Sequence, residues 1–170
     1  PLGIAELDRL GGDINALLDE LQGWQGHMES ERAMLAHRAS HDTLTAMPNR
    51  DAFDAQLAQR IASAGARGER FALLFIDADN FKAANDSYGH AAGDAVLVAL
   101  SAWIKETLSK GDFAARIGGD EFIVIVDAID AETVPDDLAK HIRACAAQPV
   151  ALPGGEITRA TVSVGVAVYP

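Results

Sequence analysis

The sequence predicts an α+β domain with helices packed on a mixed, mostly antiparallel sheet, preceded by one long coiled-coil helix. Apolar residues recur every seven positions across residues 4–38, which is typical of a coiled coil. Within residues 113–128, two apolar runs flank a short loop that contains Gly118 and Gly119, which predicts a β-hairpin. The remaining order of predicted elements, in which helices alternate with strands around this hairpin, favours helices layered on one sheet.

Residues 1–38 are predicted to form a unit of their own. Its apolar positions form two series, one of Leu7, Ile14, Leu21, Met28 and Leu35 and one of Leu10, Leu17 and Trp24. An amphipathic helix lying on its own domain is the alternative interpretation. The strict seven-residue spacing favours a seam with a second copy of the helix, so we expect a homodimer formed through residues 4–38.

The composition argues against several classes of protein. The net charge of −11 argues against a nucleic-acid partner, because binding to a phosphate backbone needs clustered Lys and Arg. The single cysteine, Cys145, excludes an intrachain disulfide. No apolar run approaches the ~18 residues that a membrane span needs.

The first half of the second unit, residues 39–170, is predicted to alternate helix and strand. A helix around Phe53 and Leu57 comes first. Residues 71–76 are continuously apolar, which predicts a strand buried on both faces. Residues 95–108 are predicted to form a buried helix.

The second half is predicted to add the hairpin, one helix and two strands. The helix covers residues 130–147, with Pro135 in its first turn. The two strands lie within residues 149–170, on either side of a turn at residues 153–155.

Acidic residues stand at two points where the predicted sheet meets its loops. Asp77 follows the apolar strand, and Asp120 and Glu121 lie at the tip of the hairpin. If the two strands are neighbours, Asp77 and Asp120 converge on one hard cation such as Mg²⁺, which prefers oxygen ligands. We expect Gly118 and Gly119 to supply positive φ angles and a backbone that a ligand can approach closely. An ordinary solvated turn is the alternative for the hairpin tip.

The tip, Gly118-Gly119-Asp120-Glu121-Phe122, is the signature that names the GGDEF family, the diguanylate cyclases, and the chain resembles that family over residues 39–170. Further matching segments follow the family's order, at residues 41–50, 77–82, 85–86, 89–90, 93–94 and 161–167. The resemblance implies a ferredoxin-like domain, the palm shared with nucleotidyl cyclases. It also implies a transferase that condenses two GTP molecules into cyclic di-GMP, a bacterial second messenger in signal transduction, with release of pyrophosphate.

The resemblance assigns metal-binding and catalytic roles around two Mg²⁺ or Mn²⁺ ions per GTP. Asp77, the Ala78 carbonyl and Asp120 match the family's metal ligands. Asp120, Glu121 and Lys82 match its catalytic positions.

It also assigns the GTP-binding residues. Asn80, Phe81 and Lys82 match the turn that binds phosphates, and Asn85 and Asp94 match the positions that read guanine. Helix capping is the alternative for Asn85 and Asp94. We expect Asp79 to cap the following helix rather than to bind metal.

One departure from the family concerns an inhibitory product site, an Arg-x-x-Asp segment before the hairpin. Asp112 holds the Asp position, but Ser109 stands where Arg is usual. Because Ser cannot supply the bidentate guanidinium, the site is degenerate, with Asp112 alone remaining.

The second departure from the family bears on the activity of the chain, and the sequence of the first unit bears on its location in the cell. The family's strand resembling residues 163–170 is followed by a final helix that carries a Lys and an Arg near the triphosphate, and this sequence lacks it. We therefore expect a weakly active or inactive fragment, with a non-catalytic GTP-binding or dimerisation module as the alternative. The first unit resembles the second helix of a HAMP signalling domain, which implies a cytoplasmic domain of a membrane-anchored protein of the inner membrane.

Overall fold

A computed structural model describes residues 3–127 and 135–170, and its contacts divide the chain into two units, Pro1–Ala39 and Ser40–Pro170. Helix α1, Ile4–Ser40, is continuous over 37 residues, which corresponds to about 55 Å. Its described apolar side chains are exposed in the single chain, among them Leu17 (58%) and Leu21 (54%). Among the described helices, none has the length and apolarity needed to cross a lipid bilayer. The helix is as predicted, and its pairing with a second copy stays a prediction.

The second unit is built on a four-stranded antiparallel sheet. Its strands are β1 (Phe71–Ala78), β2 (Phe113–Arg116), β3 (Glu121–Val126) and β6 (Val162–Tyr169), in the order β2-β3-β1-β6. Every neighbouring pair in this sheet is antiparallel. Helical segments connect β1 to β2 and lie between β3 and β6, so the order is that of a ferredoxin-like fold and the predicted fold class is confirmed.

Helices pack on both faces of this sheet, although one face is covered only in part. They are α2 (Arg50–Arg67), α3 (Phe81–Tyr88), α4 (His90–Thr107) and α5 (Pro135–Ala146). Leu74 and Ile76 of β1 belong to a buried cluster with Leu97 and Leu100 of α4 and Ile142 of α5. A second cluster joins α2 to β2, β3 and the start of β1 through Phe53, Phe71, Ala115, Ile123 and Ile125. Burial of these side chains is the main source of the domain's stability.

Local signals explain where several helices begin and end. The Asn49 side chain accepts from the Ala52 amide at 3.1 Å and caps α2, which Gly68 ends in the left-handed region. Pro135 opens α5 as predicted, while residues 130–134 of that predicted helix lie outside the described residues. Helix α4 begins at His90, five residues earlier than predicted.

The C-terminal part contains three strands where two were predicted. β4 (Pro149–Ala151) and β5 (Ile157–Arg159) form a separate two-stranded hairpin around the predicted turn. The chain then passes Ala160 and Thr161 and continues as β6, which pairs with β1 over its whole length. The prediction was wrong because an apolar run shows that a strand exists without showing which sheet it joins.

The prediction that β1 is buried on both faces was also wrong. Phe75 is 48% exposed, and Val166 and Val168 of the adjacent β6 are exposed as well. In the described structure, α4 and α5 cover one face of β1, whereas α2 packs over β2, β3 and only the first residues of β1 on the other.

Candidate active site

Acidic residues of β1 and of the hairpin tip meet at one end of the sheet. Asp77 lies opposite Glu121 in the antiparallel β1–β3 register. The Ala78 amide donates to the Asp120 carbonyl at 3.1 Å, which joins the end of β1 to the tip. The structure therefore brings together Asp77, Ala78, Asp120 and Glu121, which the sequence had suggested as neighbours.

The electrostatics of this cluster favour a cation. Burial raises the pKa of Asp77, and the charges of Asp120, Glu121 and Asp79 raise it further. Within the described residues, no group of three His, Cys, Asp or Glu side chains is arranged to hold a metal by itself. The oxygen donors at this end of the sheet, carboxylates and backbone carbonyls, fit an ion such as Mg²⁺, which takes one or two carboxylates and completes its shell with carbonyl and substrate phosphate oxygens.

The glycines of the tip act differently from the expectation. Gly118 and Gly119 are not among the described glycines with positive φ. The amides of Ile117 and Gly118 both donate to the Glu121 carbonyl, at 2.9 and 3.4 Å, which closes the turn. A Cβ on Gly118 would collide with the Glu121 carboxylate, whereas a Cβ on Gly119 meets no described atom within 4 Å. A side chain at position 118 would thus force the Glu121 carboxylate to move, and the backbone at Gly119 is open to approach.

The loop after β1 leaves the start of α3 without a side-chain cap. Asn80 adopts the left-handed conformation with φ 55° and makes no capping hydrogen bond in the described structure. The Asp79 carboxylate instead accepts from the Ser163 hydroxyl at 2.7 Å, and this bond, followed by one from Thr161, lowers its pKa. The prediction that Asp79 caps α3 was wrong, because β6 captures that side chain.

The surroundings of this loop are concave. A cavity of about 230 Å³ lies beside Asp77 and Glu121, and another of about 280 Å³ lies against Asn80 and Phe81 on the α3 side. Lys82, in the first turn of α3, is exposed. The positive charge of Lys82 and the uncapped start of α3 lie at the same loop, and both attract anions.

Helices α3 and α4 meet at Gly89, whose φ of 83° favours glycine. This joint packs the Asn85 side chain on Gly93, where a Cβ would lie only 2.9 Å from Asn85 Cγ. Asn85 Oδ1 is buried and has no hydrogen-bond partner among the described residues. Asp94 follows Gly93 in α4 and is exposed.

The degenerate inhibitory segment has a structural role here. Asp112 accepts from the Ser109 amide at 2.8 Å and from the Asp127 amide at 3.0 Å. Both carboxylate oxygens are therefore occupied by backbone donors that fix the loop before β2 to the end of β3.

Sequence reasoning missed two arginines that hold the hairpin. Arg50 Nε donates to the Ile117 carbonyl at 3.1 Å, and Arg116 donates to the Gly119 carbonyl. The available signal was the position of Arg116, two residues before the glycine pair.

Comparison with known proteins agrees with this architecture. Residues 39–170 match the family described as "Diguanylate cyclase, GGDEF domain". The diguanylate cyclase TpbB of Pseudomonas aeruginosa is 44% identical over 168 residues, which cover 99% of this chain and 39% of TpbB. The diguanylate cyclase DgcN of Escherichia coli is 37% identical over 164 residues, which cover 96% of this chain and 40% of DgcN. The chain thus spans about two fifths of the length of these relatives.

A solved structure resembles both units. The coiled coil and GGDEF domain of DgcB from Caulobacter crescentus, in complex with c-di-GMP, aligns with a TM-score of 0.84 at 29% identity, covering 92% of this chain and 83% of that one. The GGDEF domain of Pseudomonas aeruginosa TpbB aligns with a TM-score of 0.71 at 40% identity, covering 76% of each chain. With its antiparallel palm, its acidic hairpin tip and the match over residues 39–170, this chain belongs to the diguanylate cyclase GGDEF-domain family.

Proposed function

We propose that this chain is the catalytic part of a diguanylate cyclase, which condenses two GTP molecules into cyclic di-GMP and releases two pyrophosphates. The observation that carries the proposal is the carboxylate cluster of Asp77, Asp120 and Glu121 beside the uncapped start of α3. Phosphoryl transfer depends on positioning and on neutralising charge, and this arrangement offers sites for cations and for a triphosphate.

Asp77, Asp120 and the Ala78 carbonyl would hold Mg²⁺ or Mn²⁺, two ions per GTP. When bound, such ions neutralise phosphate charge and orient the reacting oxygens. The raised pKa of Asp77 supports this role, because its ionised form lacks a compensating positive charge in the free domain.

The loop residues Asn80, Phe81 and Lys82 would bind the β- and γ-phosphates. The missing side-chain cap leaves the first amides of α3 available as donors, and the Lys82 ammonium adds a full positive charge. Asp79 is not assigned to phosphate binding, because its carboxylate is negatively charged and accepts from the Ser163 hydroxyl.

Asn85 and Asp94 would read the guanine base. Guanine offers N–H donors that suit a carboxylate and an amide oxygen, together with acceptors for the amide N–H. The unpaired Oδ1 of Asn85 supports a ligand-binding role over capping, since a buried carbonyl oxygen without a partner destabilises the free domain.

The reaction requires two domains, because each GTP supplies the 3′-hydroxyl that attacks the α-phosphate of the other. Asp120 and Glu121 would lie near the attacking hydroxyl. A homodimer through residues 4–38 would supply the second domain, and the exposed apolar side chains of α1 support this. The HAMP-like sequence of α1 supports the further proposal that the whole protein is membrane-anchored, with this part in the cytoplasm.

Incubation with GTP and Mg²⁺, followed by identification of the product by mass spectrometry, tests the proposal. Formation of cyclic di-GMP with two pyrophosphates per product, above the level of a Glu121→Gln control, supports the proposal even where turnover is slow. ATP in place of GTP is the control for base recognition. Tight GTP binding without any product would instead favour the non-catalytic GTP-binding or dimerisation module.

A further inference from the structure

The guanidinium of Arg116 connects two segments that are far apart in the sequence. Its Nε and Nη2 donate to the Gly119 carbonyl at 3.2 and 2.6 Å, and its Nη1 donates to Asp42 Oδ1 at 2.8 Å. The Arg116 side chain is only 11% exposed. The planar guanidinium holds its donors in fixed directions toward both acceptors, a geometry that the compact ammonium of a lysine does not reproduce.

Asp42 is itself held firmly. Its Oδ1 accepts from the Thr45 amide at 2.8 Å and from the Thr45 hydroxyl at 2.7 Å. Burial alone would raise the pKa of Asp42, but the Thr45 bonds and the Arg116 guanidinium outweigh burial and lower it. The Arg116 amide also donates to the Pro48 carbonyl at 2.9 Å, so residues 42–48 form a fixed base for the hairpin.

The bond from Arg116 acts on the peptide group that leads into Asp120. The Gly119 carbonyl belongs to the Gly119–Asp120 peptide, and the Asp120 carbonyl is held on its other side by the Ala78 amide at 3.1 Å. Glycines 118 and 119 have no Cβ to restrict this turn. Arg116 therefore limits the rotation that would turn the Asp120 carboxylate away from Asp77.

We propose that Arg116 is a positioning residue that sets the Asp120 carboxylate for cation binding through the Gly119 carbonyl, with Asp42 as its anchor. This inference rests on the proposed function for the identity of the cation site. Arg116 touches neither nucleotide nor metal in this scheme and acts only through the hairpin backbone.

The test compares Arg116→Lys with Arg67→Lys, a matched control at an exposed arginine that pairs only with Glu69 among the described contacts. Mn²⁺ is titrated by electron paramagnetic resonance in the presence of 3′-deoxy-GTP, which lacks the attacking hydroxyl. Hydrogen exchange of the Ala78 amide reports on the tip, and the amides in the rest of β1 report on global stability.

In Arg116→Lys we expect Mn²⁺ affinity to fall on the order of 10- to 100-fold, as for other residues that orient metal ligands. Exchange at Ala78 should quicken while the rest of β1 keeps its protection. With GTP, kcat should fall with little change in KM, because phosphate and base contacts remain. Arg67→Lys should match the wild type in all three measurements.

Unchanged Mn²⁺ affinity and Ala78 exchange in a folded Arg116→Lys would overturn the proposal. If that variant does not fold, Asp42→Asn is tested instead, since it keeps Arg116 but removes its charged anchor. A smaller loss of Mn²⁺ affinity with faster Ala78 exchange supports the proposal, and no change in either measurement overturns it. A wild-type chain that makes no cyclic di-GMP but binds Mn²⁺ would reject the proposed function alone. A wild-type chain that binds no Mn²⁺ would reject both.

Discussion

Gly93→Ala is a small change with opposite expected effects on the helix and on the base-reading side chain. Gly93 lies inside α4, where alanine is favoured over glycine by about 0.5–1 kcal/mol. The added Cβ would lie 2.9 Å from Asn85 Cγ and 3.0 Å from Phe81 Cζ, well inside the ordinary contact distance of 3.4 Å. Asn85 must therefore turn away from α4, and Phe81 must shift with it.

The loss in binding follows from the hydrogen bonds that Asn85 can no longer make to guanine. A polar group left without its partner in a buried contact costs about 1–3 kcal/mol. At 1.4 kcal/mol per tenfold change, GTP affinity should fall roughly 5- to 150-fold. Thermal stability should stay within a few degrees of the wild type, because the helix gain offsets the local repacking.

Calorimetric titration with GTP and with ATP in the presence of Mg²⁺ measures this effect, with Gly65→Ala as the control. Gly65 lies in α2, where a Cβ meets no described atom within 4 Å, so this variant gains helix propensity without touching α3. It should bind GTP like the wild type. A Gly93→Ala chain that keeps both its GTP affinity and its preference over ATP would refute the role of Asn85.

Three further predictions concern charge and assembly. Because the pKa of Asp77 is raised, its ionised form destabilises the metal-free fold at pH 7, and this loss is relieved as the pH falls toward that raised pKa. Asp77→Asn should therefore raise the melting temperature in EDTA at pH 7. Asp77→Asn and Asp120→Asn should each abolish Mg²⁺-dependent GTP binding. Retained binding in both variants would contradict the metal assignment. The effect of Asp42 on stability has the opposite sign, because its lowered pKa contributes stability above about pH 4 that is lost as the pH falls through the pKa of the folded state. Asp42→Asn should therefore be less stable than the wild type at pH 7 and should show a flatter acid unfolding transition. Superimposable acid titration curves would contradict this. The double change Leu17→Asp, Leu21→Asp should convert a dimer to a monomer in light scattering, and equal masses before and after would remove α1 as the interface.

The strands of the sheet and the β2–β3 hairpin could be predicted because they follow from residue patterns that act locally. The apolar run that ends at Asp77 and the short loop before Glu121 predict a strand and a hairpin, and their acidic ends meet as expected. The signature residues carried the family assignment, which is now shown by the match over residues 39–170.

The errors concern choices that depend on distant partners. Asp79 has the sequence position of a helix cap, but Ser163, 84 residues later, competes for its carboxylate. Phe75 lies in an apolar run that predicted burial on both faces of β1, but it is exposed because no described helix covers that part of the sheet. Arg116 drew no attention because its partners, Asp42 and the Gly119 carbonyl, become neighbours only after the sheet forms.

Asp112 shows how half of a regulatory signature can persist for reasons unrelated to regulation. Its carboxylate accepts from two backbone amides and so connects the loop before β2 to the end of β3. These bonds do not require an arginine at position 109. An aspartate at position 112 therefore stabilises the hairpin stem whatever residue stands at position 109. Ser109→Arg would keep the hydrogen bond from the residue 109 amide to Asp112, because that bond uses the backbone, so a longer side chain can be introduced here without weakening the stem.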